Sequence, residues 1–180
     1  DRTMRRFSAV RAGMSWPRLE LNLYSYFCVL GEEVVVSPYF EERQRRRGKI
    51  FLLYEWQGPD IHSPLEDMFI QILAAASRYK FQVVYAVTEK FQGEDFTEHS
   101  RRFQDFVYSR KASVRLETPG FADNLELSVD IIRTWKKKGL FEIPESSIVA
   151  GEMEVPQTSD VKQIAKEFNA LNALRLAMCG

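Results

Sequence analysis

The sequence predicts a mixed α/β fold: a three-strand antiparallel meander followed by β-α-β-α-β-α units, with about five strands in one mixed sheet and helices packed on it. Three observations lead there. Ile50 to Tyr54 is an unbroken apolar run, the pattern of a strand covered on both faces. Leu65, Met68, Phe69, Ile72, Leu73 and Ala76 recur at helical spacing. Phe81 to Val87 is rich in β-branched and aromatic residues, which favour strands. Strand, helix and strand in that order predict a parallel pair joined by a right-handed crossover.

Taken in order, residues 1–17 read as a basic, irregular lead-in that Pro17 closes. Leu19 to Leu30 reads as a long strand, because Leu19, Leu21 and Leu23 alternate with Glu20, Asn22 and Tyr24. A tight turn at Gly31-Glu32 and a second strand from Val34 to Val36 follow. A charged connection, Glu41 to Gly48, leads to the strand at Ile50. Beyond it, Gln57-Gly58-Pro59-Asp60 breaks regular structure. Ser63-Pro64-Leu65-Glu66 carries three helix-start signals: a capping hydroxyl, a proline at the first helical position, and a glutamate placed to close a capping box. Ala74 and Ala75 widen the apolar stripe of that helix.

A polar loop from Glu89 to Asp95 precedes a helix over Phe96 to Arg110, with Phe103, Phe106 and Val107 facing inward. Ser113 to Glu117 is a short strand stopped by Pro119-Gly120. Another helix covers about Asn124 to Lys138, capped by Asp123 and ended by Gly139 in a left-handed conformation. Leu140 to Thr158 reads as loop, with a short strand at Ile148 to Ala150. The last helix, 159–180, begins at Ser159 or Asp160 and places Val161, Ile164, Phe168, Leu171, Leu174 and Met178 on one face. This element order is shared by ribonuclease H-like folds, and its first part by restriction-nuclease-like folds; element order alone carries no activity.

Composition narrows the function classes. With 180 residues, 45% hydrophobic and 13% aromatic, the chain can bury a core, and residues 1–180 read as a single α/β domain. Its polar start and abrupt helical end suggest a piece of a larger protein. No apolar run reaches the roughly 18 to 20 residues that span a bilayer. Two cysteines, Cys28 and Cys179, make no disulfide framework, which points to an intracellular setting, cytoplasmic or nuclear. Net charge is zero, but residues 1–50 carry 10 basic against 6 acidic side chains and residues 51–180 carry 15 against 19.

Catalytic signatures are few. A metal-dependent nuclease needs carboxylates converging on Mg²⁺ or Mn²⁺. A ribonuclease H-like site wants an acid in the middle of the first strand, and Leu21 to Leu30 has none. A restriction-like site wants Glu-x-Lys on the third strand. Glu55-Trp56-Gln57 offers the glutamate but not the lysine, and Ser37-Pro38 stand where an aspartate is expected. Glu55 is therefore the one catalytic candidate, and its plainer role is a strand-end carboxylate. His62 and His99 lack zinc spacing. No G-x-S-x-G elbow and no phosphate-binding glycine motif occurs. The Gly58-Pro59 turn follows a strand where open α/β sheets bind ligands, but its prolines remove donors.

Charge points elsewhere. Arg43, Arg45, Arg46 and Arg47 with Lys49 form the densest basic cluster, suited to phosphates or to an acidic protein surface. As a hairpin tip it would equally discourage edge pairing. Lys136-Lys137-Lys138 suits the negative end of a helix macrodipole without any ligand. These features predict a non-catalytic protein-interaction domain without a cofactor, whose C-terminal helix either covers one face of the sheet or docks a protein partner. The alternative is a nucleic-acid-binding or nuclease-like domain using the Arg43–Lys49 tip, with Mg²⁺ or Mn²⁺ in the nuclease case.

Overall fold

The computed structural model describes residues 7–18, 22–33, 48–60, 62–86, 96–117, 132–154 and 168–179. It is a mixed α/β fold. Six strands, β1 (Phe7–Ser15), β2 (Tyr26–Glu33), β3 (Ile50–Gln57), β4 (Val83–Tyr85), β5 (Arg115–Glu117) and β6 (Phe141–Glu142), form one sheet in the order β5-β4-β1-β2-β3-β6. β1, β2 and β3 are the antiparallel meander, and β4, β5 and β6 join by parallel pairing. Only β2 runs against the rest. β3 and β4 do run parallel, but β1 and β2 lie between them. Four helices are α1 (Leu65–Tyr79), α2 (Phe96–Ser109), α3 (Ile148–Glu154) and α4 (Asn169–Cys179); residues 132–137 are also helical.

The meander starts earlier than its hydrophobic pattern suggests. Residues 7–15 of the expected irregular lead-in are a strand near the centre of the sheet, paired to β2 on one side and β4 on the other. Its two faces explain why. Ala12, Met14 and Trp16 are buried with α1 and α2, and Arg11, Gly13 and Ser15 face α4. The second face is polar or small because a helix backbone lies against it. The expected turn at Gly31-Glu32 is instead within β2, opposite Val10 and Ala9. The long strand expected over 19–30 resolves into an Arg18–Leu23 bridge and then β2. The strand at Val34 to Val36 falls outside the described residues.

Two cores flank the sheet. On one face Phe27, Val29 and Val84 meet Met68, Phe69 and Ile72 of α1 and Phe103 and Val107 of α2. The Phe69 and Phe103 rings stand edge to face, 5.1 Å apart. On the other, Tyr26, Cys28, Leu30, Ile50 and Leu52 meet Ile132, Val149, Leu171 and Leu174. A bulge beside Leu53 shifts the β2–β3 register between Val29 and Leu30. Side-chain alternation flips there: Leu53, Tyr54 and Trp56 join the first core, and Glu55 points to the second face beside Cys28 and Tyr26.

α1 follows its predicted span, but its start is built differently. Pro64 holds the cap position without a side-chain bond. The Ser63 hydroxyl accepts from the Asp60 N–H at 3.1 Å, and Glu66 pairs across to Arg102 of α2. The box therefore opens in favour of an inter-helix ion pair. Ala74 is exposed rather than part of the stripe. α1 and α2 both end on lysines with positive φ, Lys80 at 62° and Lys111 at 53°, positions that favour glycine. Gly139 has the expected left-handed conformation, φ 70°.

One expectation at the C-terminal end is corrected. Ile148 to Glu154 is helix, not loop with a short strand, because its first amide N–H has a carboxylate to bond. In the terminal helix every side chain from Asn169 to Met178 is buried. α4 lies on β1 so closely that a Cβ on Gly13 would sit 2.1 Å from the Ala173 carbonyl oxygen. Among the described residues no helix is long and apolar enough to cross a membrane.

This packing yields two stability predictions. Gly13→Ala drives a methyl into helix backbone that has no rotamer to yield, and should cost about 3 kcal/mol or more in chemical denaturation; Gly151→Ala, with open space around it, should be neutral or stabilising by up to about 1 kcal/mol. Lys80→Gly should raise stability by up to about 1 kcal/mol, since a left-handed residue with a Cβ costs roughly 1–2 kcal/mol.

Candidate functional site

Open α/β sheets bind ligands beyond the carboxyl ends of their parallel strands, where strand order reverses. In this sheet that place lies beyond Ser15, where β1 stands between β2 and β4. Ser15 donates from its hydroxyl to the Asn169 carbonyl at 2.8 Å. The Asn169 amide donates to the carbonyls of Trp16 at 3.0 Å and Tyr24 at 2.7 Å. Trp16 is buried, edge-on to Phe69, with the His99 ring 5.4 Å away. The position is closed by these hydrogen bonds and by the Trp16 ring. β1 itself carries no Asp or Glu; its one charged side chain is Arg11. The Gly58 amide donates to the Ser25 carbonyl at 2.9 Å, which uses that donor internally.

Glu55, the catalytic candidate, is half-buried with both oxygens engaged. One accepts from the Tyr26 hydroxyl and the other from the Ile148 N–H, each at 2.7 Å. Its carboxylate thus caps the start of α3. Glu152, on α3, repeats the device at the start of α4, accepting from Leu171 N–H at 2.6 Å and Ala170 N–H at 3.3 Å. Negative charge at a helix N-terminus is favourable. Burial nonetheless pushes the Glu152 carboxyl up to about 7; the two N–H bonds oppose the shift and the charge of Glu55 adds to it. Burial likewise raises the Tyr26 phenol and the Cys28 thiol, so Cys28 is an inert core residue.

Among the described residues no group of three or more His, Cys, Asp or Glu could hold a metal ion. Glu55 is engaged by the Tyr26 hydroxyl and the Ile148 N–H, and Glu152 by the Leu171 and Ala170 N–H groups. The donor set needed for Mg²⁺ or Mn²⁺ is therefore not assembled by these residues. His62 sits in the exposed turn that Asp60 bonds through its own side chain.

The basic candidates separate. Arg43, Arg45, Arg46 and Arg47 lie outside the described residues. Lys49 stands at the start of β3, 3.0 Å from Glu142 and over the Phe51 ring. It is not alone at that edge. β1, β3, β4, β5 and β6 point the same way, so the connections leading into them gather on one side of the sheet. Lys80 precedes β4, Arg110 and Lys111 precede β5, and Lys136, Lys137 and Lys138 precede β6. All six are exposed. Arg110 lies over the Phe106 ring at 4.1 Å and Arg78 over Tyr79 at 5.1 Å, which holds both guanidinium groups at this end of the helices. Between the two cation groups, β2 ends in Glu32 and Glu33. Sequence spacing scatters these cations; topology alone collects them.

No family model and no curated protein matches this chain. Among solved structures, T. thermophilus RuvC in complex with Holliday junction substrate is similar at a TM-score of 0.48 and 12% identity, over 95% of this chain and 92% of that one. The Thermus thermophilus RuvC structure gives 0.45 and 14% over the same shares. These likenesses concern the path of the chain, and no residue role follows from them.

The Glu152 geometry sets a pH dependence. A folded value of about 7 against the ordinary 4.5 means the folded chain keeps a proton that the unfolded chain releases. This group's contribution to stability is therefore full below about pH 4.5 and falls as pH rises to about 7. Denaturation midpoints across that interval should show the fall, and Glu152→Gln should flatten it.

Proposed function

We propose that this chain is a nucleic-acid-binding domain that holds its ligand without hydrolysing it. The observation that carries the reading is the gathering of Lys49, Lys80, Arg110, Lys111 and Lys136–Lys138 on the edge where the parallel strands begin. Each helix ending there would favour one cation through its macrodipole. That effect acts at each helix end singly and does not account for the collection of these ends, together with Lys49, along one edge of the sheet. A row of cations along one side suits a linear polyanion, because each neutralised phosphate releases condensed counterions. Neighbouring strands are about 4.8 Å apart, so the edge spans several phosphates. The Arg43–Arg47 cluster runs directly into Lys49 in the sequence, and in this reading it adds to the same surface.

The non-catalytic half of the reading is supported by the chemistry of the acids. β1 has no carboxylate, and Glu55 and Glu152 serve as helix caps. A protein partner on the C-terminal helix has less support, since α4 is buried along its described length.

Binding of a labelled oligonucleotide should weaken steeply with added salt, with a log–log slope of about −0.7 to −0.9 per phosphate contacted. Replacing Lys136, Lys137 and Lys138 with alanine should reduce that slope by about 2 and lower affinity at low salt. Fluorescence anisotropy titrations measure both. An absence of binding at low salt would refute the reading. Cleavage of the same oligonucleotide in Mg²⁺ or Mn²⁺ would refute its non-catalytic half.

A further inference from the structure

The basic edge is not uniform. At its β4–β5 end lie the connections that follow α1 and α2, two helices packed on each other through Phe69, Phe103 and Phe106. There Lys80 and Lys111 occupy adjacent connections, both exposed and both in the left-handed conformation. Neither forms an ion pair with another described residue. In the last turn of α2 stands Tyr108, 87% exposed and by far the most exposed large apolar residue described. Its backbone carbonyl accepts the Lys111 N–H at 3.1 Å, so ring and lysine belong to one rigid helix end. Asp105, one turn back, is held by Arg101 at 2.8 Å, and Arg101 is also tied to Glu98 at 2.6 Å. Asp105 is thus already engaged by an arginine of its own helix.

We propose that Tyr108, Arg110, Lys111 and Lys80 form a contact for single-stranded nucleic acid, with one unpaired base stacked on the Tyr108 ring and the cations on the flanking phosphates. The inference rests on the nucleic-acid reading above and adds the strand state of the ligand. In a duplex the base faces are covered by their neighbours, so a protruding ring has nothing to stack on. An unpaired strand offers a π-face at every base, and aromatic rings set among cations recognise it without regard to sequence. Arg110, already stacked on Phe106, is pre-ordered beside such a base. Leu140, also exposed, lies beside Lys138 at the other end of the edge, but it has no π-face.

The test compares a fluorescein-labelled oligothymidylate with a duplex of equal length at one ionic strength, by anisotropy. The oligothymidylate should bind more tightly. Tyr108→Ala should weaken it by about tenfold and leave the duplex unaffected, and Tyr108→Phe should restore most of the loss. Lys111→Ala should weaken both ligands. Tyr108 is exposed, so unchanged thermal melting will confirm that the variants are folded. If Tyr108→Ala binds the oligothymidylate like the parent, or if the duplex binds more tightly, the inference is overturned while binding itself stands. If neither ligand binds, the underlying reading falls with it.

Discussion

The contact of α4 with β1 across Gly13 is the constraint on which the rest of the structure depends. With no Cβ at Gly13, helix backbone meets strand backbone. Bonds at both ends hold the helix along the strand: Arg11 donates to the Met178 carbonyl at 3.4 Å, and Ser15 to the Asn169 carbonyl. A cation at the helix C-terminus also suits its macrodipole. Because α4 lies so deep, its first amides cannot reach water, and Glu152 must satisfy them. α3 must then be fixed so that Glu152 points correctly, and Glu55 fixes it from β3. Glu55 faces that way only because of the bulge at Leu53. One missing methyl group thus leads, through two carboxylate caps, to the register of the meander.

That chain of dependence divides the charges of the molecule. Glu55 and Glu152 lie on one face of the sheet and cap helices there. The exposed cations lie at one edge and have few partners. The molecule therefore has a surface built for attraction and an interior whose acids hold helices in place. The two tasks use different parts of the sheet, so neither compromises the other.

Much of this architecture was legible in the sequence. α1 and α2, the strands β3, β4 and β5, and the left-handed Gly139 follow from periodicity and turn chemistry. The mixed sheet follows from their order. β1 escaped because Arg11, Gly13 and Ser15 give its second face no apolar signal, although Ala12, Met14 and Trp16 alternate correctly. α3 escaped because Gly151 interrupts seven residues that tertiary caps hold as helix. The buried state of α4 was hidden by Asn169, Asn172 and Arg175, which mimic a solvated face at helical spacing. Arg175 in fact donates to the Asn172 side chain within the interior. The site was least legible. Glu55 was found, but its partners lie 29 and 93 residues away. The cations of the basic edge are neighbours only through strand order, which local pattern does not encode.

The Ser15–Asn169 bond joins residues separated by 154 positions. Such distant closure makes folding slow, because loop entropy is lost before the contact rewards it. On a ribosome the meander would emerge long before α4, and one face of β1 would wait uncovered, with its glycine exposed to whatever else the cell offers. Completion of the fold thus waits on α4, and until that helix arrives the meander is a sheet with one face unsealed.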